Sequence, residues 1–363
     1  MIPERRRLVW RFLPFLLAGL LIIACYLHFF VDVHGMITLL RSVDPRYYSI
    51  AVIVLLLDTV FFSLAWHSLL SLLSIKAPFR KTLLFVWAAT FVDILVPAES
   101  VTGDISRAYL MSKETGETER NTGKIAASLV SHRILNTVVA LGSLLVGCLF
   151  FILRYEIPRD PVLGMSVSNW ILLVTVGSAV TLSFLFVLTL KEDITRKISN
   201  SVFKLVVFVS RGRWPLEKFK SKARIALEAF HYAITVIGRH PSALVRPVIF
   251  SLIYWFFSLL TPLLVFVSIG HPVHFSIVVI VYSLGCTIQS IPLGIPAEVG
   301  LTEVVMISLY TAFLRGMLGV ADVGALSAAA TFLTRILTVG LRFFIGFVAI
   351  QWVGARALIG GSR

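Results

Sequence analysis

Two acidic turns and the arginines that follow them are the residues in this chain best suited to chemistry. The first turn reads Pro97-Ala98-Glu99-Ser100-Val101-Thr102-Gly103-Asp104, the second Pro296-Ala297-Glu298-Val299-Gly300-Leu301-Thr302-Glu303. Each is a Pro-Ala-Glu turn with a second carboxylate five residues after its Glu. Arg133 lies thirty-six residues after Pro97, and Arg335 lies thirty-nine after Pro296. Of the ten aligned positions 126–135 and 328–337, five are identical, Arg-Ile-Leu among them. A guanidinium offers a planar fork of donors that suits phosphate, so Arg133 and Arg335 are read as phosphate ligands facing a central cavity. The bland reading is a structural pairing of these arginines with Glu99, Glu298 or Asp58.

The acids divide by position. Asp104 and Glu303 stand where a helix restarts, and a carboxylate there is often only a cap favoured by the helix dipole. Glu99 and Glu298 follow Pro-Ala directly and are the better candidates for proton coupling or for holding a cationic head group. Asp58, near the middle of an apolar run, is a pathway carboxylate or an arginine partner. The breakers Pro97, Gly103, Pro292, Gly294, Pro296 and Gly300 free backbone groups to line a site. An ionisable group at membrane depth costs about 2.5–3.5 kcal/mol on the insertion scale, which favours a cavity or a partner for each. His132 beside Arg133 reads as an interface histidine, since adjacent helix residues point about 100° apart.

These residues sit in apolar surroundings. The chain has 363 residues, 58% apolar and 14% charged, with a mean hydropathy of +0.91. Several uninterrupted apolar runs reach the roughly 20 residues that a helix needs to cross hydrocarbon. The expectation is therefore an all-α, polytopic, single integral membrane domain over residues 1–363. Its net charge of +14 comes from 33 Lys and Arg against 19 Asp and Glu. Twenty-four of the 33 fall in segments on one expected face, five on the other and four within spans. That bias is the positive-inside pattern, so the surplus speaks for anionic lipid head groups as neighbours and against nucleic acid.

Six spans are predicted, over about 12–31, 48–73, 124–153, 168–190, 243–269 and 321–352, with both termini on the cytoplasmic side. Residues 83–96 and 273–290 are apolar but short and end at the acidic turns. They predict re-entrant hairpins, which are tolerated only where protein or a water-filled cavity surrounds the break. Each half then reads span, span, hairpin, span: 12–153 forms a first repeat and 168–352 a second of opposite orientation. Such inverted repeats with paired broken helices carry alternating access in many transporters. The alternative is eight full spans. Between the repeats, 191–241 predicts amphipathic helices on the cytoplasmic leaflet. Cys25, Cys148 and Cys286 fit neither a disulfide framework nor a metal site, no zinc spacing is found, and no Walker, nucleophile-elbow or dinucleotide motif is present. No cofactor and no metal are expected.

The pattern Pro97-x-Glu99-(x)4-Asp104-x-x-Arg107, then Ser128-(x)4-Arg133, together with Pro296-x-Glu298-x-Gly300-(x)2-Glu303, then Arg335, resembles the membrane region of bacterial lysylphosphatidylglycerol synthase/flippases. The resemblance spans about residues 10–352 and adds Arg107 to the candidate site. It lacks the soluble aminoacyl-transferase domain, and Ala98-Glu99-Ser100 stands where a more glycine-rich turn is expected. What it implies is lipid translocation in the cytoplasmic membrane, of an aminoacylated or anionic phospholipid or a polyprenyl-phosphate-linked lipid, without lysyl transfer. The alternatives are a membrane-embedded transferase acting on a lipid carrier and an accessory subunit of a lipid-modifying synthase. The partners expected are the lipid substrate and, on the accessory-subunit reading, such a synthase.

Overall fold

A computed structural model describes residues 17, 20–96, 101–116, 119–154, 161–162, 165–190, 241–289, 295–315 and 322–360. Pro97, Glu99, Pro292, Gly294 and the linker 191–240 therefore lie outside the described residues. Twelve α-helices can be followed in chain order: α1 (Leu20–Phe30), α2 (Val33–Arg41), α3 (Pro45–Leu72), α4 (Phe79–Leu95), α5 (Val101–Thr115), α6 (Glu119–Arg154), α7 (Val167–Leu190), α8 (Val245–Ser268), α9 (Phe275–Gln289), α10 (Leu301–Leu314), α11 (Val323–Arg335) and α12 (Arg342–Gly360). The one β feature among the described residues is a two-residue antiparallel pairing of Pro161–Val162 with Met165–Ser166, inside the segment expected as an outer loop.

The long helices are apolar on nearly all sides, as hydrocarbon requires of a span. α3 starts cleanly because Asp44 caps it, accepting from the Arg46 N–H at 2.8 Å, and Pro45 at the first helical position has no N–H to lose. Helical stretches over 45–72, 121–154, 242–268, 296–314 and 323–354 are each long and apolar enough to cross a membrane. The chain is thus a multi-pass, all-helical membrane protein.

One expected span needs correction. The expected first span does not run straight into a loop: α1 bends by 100° into α2, a helix over residues that were expected to be unstructured. Asp32 causes the restart by accepting the His34 N–H at 3.0 Å, and Arg41 sits favourably in the last turn. The last span runs unbroken over 323–354, close to the expected 321–352, but its helix is not regular throughout. A π turn over Ile336–Leu341 separates α11 from α12 at the cavity described below.

The helices pack in a pattern that survives exchange of the two halves. α3 and α8, the second span of each half, form the most extensive helix–helix interface, at the centre. Around them α4 packs on α5 and α12, as α9 packs on α10 and α6. α5 leans on α6 as α10 leans on α11, and α7 meets α6 as α2 meets α11. At 1.5 Å per residue, α4, α5, α9 and α10 extend only about 21–26 Å each, less than the ~30 Å hydrocarbon core.

Candidate functional site

In the second half the Pro-Ala-Glu turn forms a short 3-10 turn, Pro296–Glu298, in which Ala297 and Glu298 both take φ of 49°, a left-handed conformation costly for residues with a Cβ. Gly300, at φ 98°, then lets the chain enter α10. Two side chains hold this geometry. Glu303 accepts the Gly300 N–H on Oε2 at 2.6 Å and the Arg335 Nε–H on Oε1 at 2.5 Å. Arg335 also donates from Nη2 to the Ala297 carbonyl at 2.6 Å. Arg335 is 9% exposed and Glu303 4%, so the ion pair is buried and pinned to the turn it stabilises. Glu298 is buried beside it.

The first half builds the same pair from its equivalent residues. Arg133 Nη1 lies 3.1 Å from Asp104 Oδ2, and Asp104 also pairs with Arg107. Arg107 is sandwiched between the rings of Phe62 and Trp66, with its guanidinium carbon 5.2 Å from each ring centroid. Its Nη1 comes within 3.5 Å of His132 Nδ1, and His132 is buried against Phe62. Asp93, at the end of α4, accepts the Thr102 hydroxyl at 2.9 Å and the Gly103 N–H at 2.5 Å. It thereby closes the first hairpin across the break. Gly103 permits this close approach: a Cβ would fall 1.9 Å from Asp93 Oδ2 and displace the carboxylate.

A cavity of about 330 Å³ lies between the halves. α3 contributes Asp58, Thr59 and Phe62, and α4 contributes Thr90 and Asp93. α8 adds Tyr254 and Trp255, α9 adds Tyr282, Cys286 and Gln289, and the second acidic turn adds Ala297. Thr334, Arg335, Thr338 and Arg342 line it from around the π turn. Asp58 is fully buried, with Oδ1 accepting from Thr59 Oγ1 at 2.8 Å and Oδ2 from Ser258 Oγ at 3.0 Å and Arg342 Nη2 at 2.6 Å.

Of the residues singled out in the sequence, Asp58 and Arg335 line the cavity. Glu303 and Glu298 stand behind Arg335, whereas Asp104, Arg107 and Arg133 form the separate cluster on the first hairpin. Arg133 does not face the cavity as expected. Its side chain is 44% exposed and paired with Asp104. The second cavity arginine is Arg342, which the sequence reading left out of the site although it follows Arg335 by seven residues on one helix face. That spacing was the available signal. Among the described residues no group of three or more His, Cys, Asp or Glu side chains is arranged to hold a metal ion.

Comparison with known proteins places these features in a family. The sequence model described as "Lysylphosphatidylglycerol synthase TM region" matches residues 16–346. The chain is 23% identical over 318 residues to a "UPF0104 membrane protein" of Methanothermobacter thermautotrophicus, covering 87% of this chain and 88% of the relative. UPF0104 membrane proteins of Pyrococcus horikoshii and Methanocaldococcus jannaschii are 21% and 24% identical, each covered over 89% of its length, with 86% and 88% of this chain matched.

Proposed function

The chain belongs to the family of lysylphosphatidylglycerol synthase transmembrane regions, and from that premise we propose that it is a lipid translocase of the secondary-transporter type. Its cargo is an anionic or aminoacylated phospholipid, or a polyprenyl-phosphate-linked lipid, crossing the cytoplasmic membrane. The observation that carries this reading is the cavity itself. Both halves supply its walls, and two arginines and two aspartates project into it between the broken helices. A head group of phosphate or glycerol size fits such a space, while acyl or prenyl chains remain in lipid at a lateral opening. Buried charge that is kept, paired and turned towards a cavity is the usual mark of a transport pathway.

The exchange-symmetric packing and the matching pairs Asp104–Arg133 and Glu303–Arg335 support an inverted repeat of residues 12–153 and 168–352, with the two hairpins re-entrant from opposite faces. Alternating access then exchanges the packing of one half for that of the other around the shared cavity. The chemistry asked of the protein is binding and movement, with no covalent step and no cofactor.

Purified protein in liposomes containing labelled phosphatidylglycerol, lysylphosphatidylglycerol or polyprenyl phosphate tests the reading. Translocation above protein-free liposomes is expected for at least one of the three, and Thr338→Trp, which fills the cavity, reduces it at least about tenfold, a loss of some 1.4 kcal/mol or more. Rates equal to empty liposomes for all three lipids end the proposal.

A further inference from the structure

The arginines on the cavity wall differ in how much donor capacity they have left. Arg335 gives Nε to Glu303 and Nη2 to the Ala297 carbonyl, so two edges of its fork serve the acidic turn. Arg342 gives only Nη2, to Asp58, and its Nε is buried with no hydrogen-bond partner among the described residues. A buried charged donor without an acceptor costs free energy unless something fills the position. Asp58, held by Thr59 and Ser258 at the crossing of α3 and α8, fixes the guanidinium from one side, and Arg342 itself lines the cavity. A π turn, Ile336–Leu341, directly precedes Arg342, and such turns occur frequently at functional sites. The hydroxyl-bearing side chains of Tyr254, Tyr282 and Thr338 line the same space.

We infer that Arg342 is the oxyanion ligand of the cavity, oriented by Asp58, and that the group it binds is a phosphate monoester or diester. Arg335 then has an architectural task, and Arg133 belongs to the clasp of the first hairpin. The inference rests on the translocase reading for its lipid source, yet it is a statement about binding and can be tested without transport. Asp58 is a positioning residue: it touches the guanidinium and not the ligand.

The test is a binding titration of purified full-length protein in detergent with three probes: short-chain phosphatidylglycerol, short-chain diacylglycerol and soluble glycerol phosphate. Phosphatidylglycerol binding is expected, with diacylglycerol at least about tenfold weaker, because it lacks the charged oxygens to which a guanidinium donates. Glycerol phosphate competing on its own identifies a free phosphate ester as a sufficient ligand. Competition by phosphatidylglycerol alone identifies a lipid head group. Arg342→Gln leaves Asp58 buried and unpaired and risks misfolding, so the deciding variant is Asp58→Asn with Arg342→Gln, which removes both charges together. It is expected to keep the thermal stability of the wild type and to bind phosphatidylglycerol at least about tenfold more weakly. Asp58→Asn alone is expected to give an intermediate loss that Asp58→Glu partly restores. Wild-type affinity in the double variant, or equal binding of diacylglycerol, overturns the inference. So does a loss in Asp58→Asn as large as in the double variant that Asp58→Glu does not partly restore, because the carboxylate then meets the head group itself, accepting from its glycerol hydroxyls, and Arg342 is not the ligand. Arg342-dependent binding without translocation in liposomes removes the translocase reading and leaves this site standing.

Discussion

At the scale of single residues, the charges in this membrane protein separate into those that hold the fold and those turned towards the cavity. Glu303 and Arg335 belong to the first kind. Their pair spans the break before α10 and anchors a turn with two left-handed residues. Glu303→Ala is expected to lower thermal stability in detergent by the roughly 3–5 kcal/mol that follows from leaving one buried partner uncompensated. Arg133→Ala removes the equivalent pair where it is half exposed, and the expected loss is at most about 1 kcal/mol. Thermal melts of the two variants side by side check the difference, and equal losses contradict the assignment. The second-half turn was legible in part. The sequence named Glu303 and Arg335 and offered pairing as one reading, but with Glu99, Glu298 or Asp58 as partners. Which acid meets which arginine depends on how helices thirty residues apart lean together, and that is invisible in local spacing.

At the scale of elements, close crossings tie each hairpin to the other half. Gly346 on α12 faces α4 so tightly that a Cβ would meet the Trp87 carbonyl oxygen at 2.7 Å and Phe91 Cβ at 2.9 Å. Gly147 on α6 faces α9, where the nearest atom is Val279 Cγ1 at 2.6 Å. Backbone cannot yield as a valine methyl can. Gly346→Ala is therefore expected to destabilise by about 1–3 kcal/mol through overpacking, and Gly147→Ala by less. Gly142, with open space around it, serves as the control for helix propensity. Melting temperatures of the three variants rank the crossings, and a neutral Gly346→Ala shows that α4 and α12 slide apart freely. The short helices α4 and α9 were foreseen from short apolar runs ending near the prolines of the acidic turns. The restart at Asp32 and the π turn before Arg342 were not, because hydropathy runs on through 321–352 and a single glycine, Gly340, is a weak signal inside an apolar helix.

At the scale of the whole molecule, the issue is whether the two halves face the membrane in opposite senses. Single cysteines at Ala98 and Ala297, in a chain with Cys25, Cys148 and Cys286 replaced, are expected to react with a membrane-impermeant thiol reagent from opposite sides of intact vesicles. Labelling of both from one side removes the inverted repeat and leaves eight straight crossings as the arrangement to pursue. Composition and the length of the apolar runs determined by themselves that this is a multi-pass helical membrane protein, because hydrocarbon admits few alternatives to a long apolar helix. The duplicated Pro-Ala-Glu motif likewise announced two equivalent breaks and their family. Only the tertiary structure decided that Asp58, from the first half, meets Ser258 and Arg342 from the second, and that Arg133 turns away from the space Arg342 enters. A sequence reports how far apart residues lie along the chain, whereas a cavity is made where distant helices cross, and the crossing angles follow from packing over their whole length.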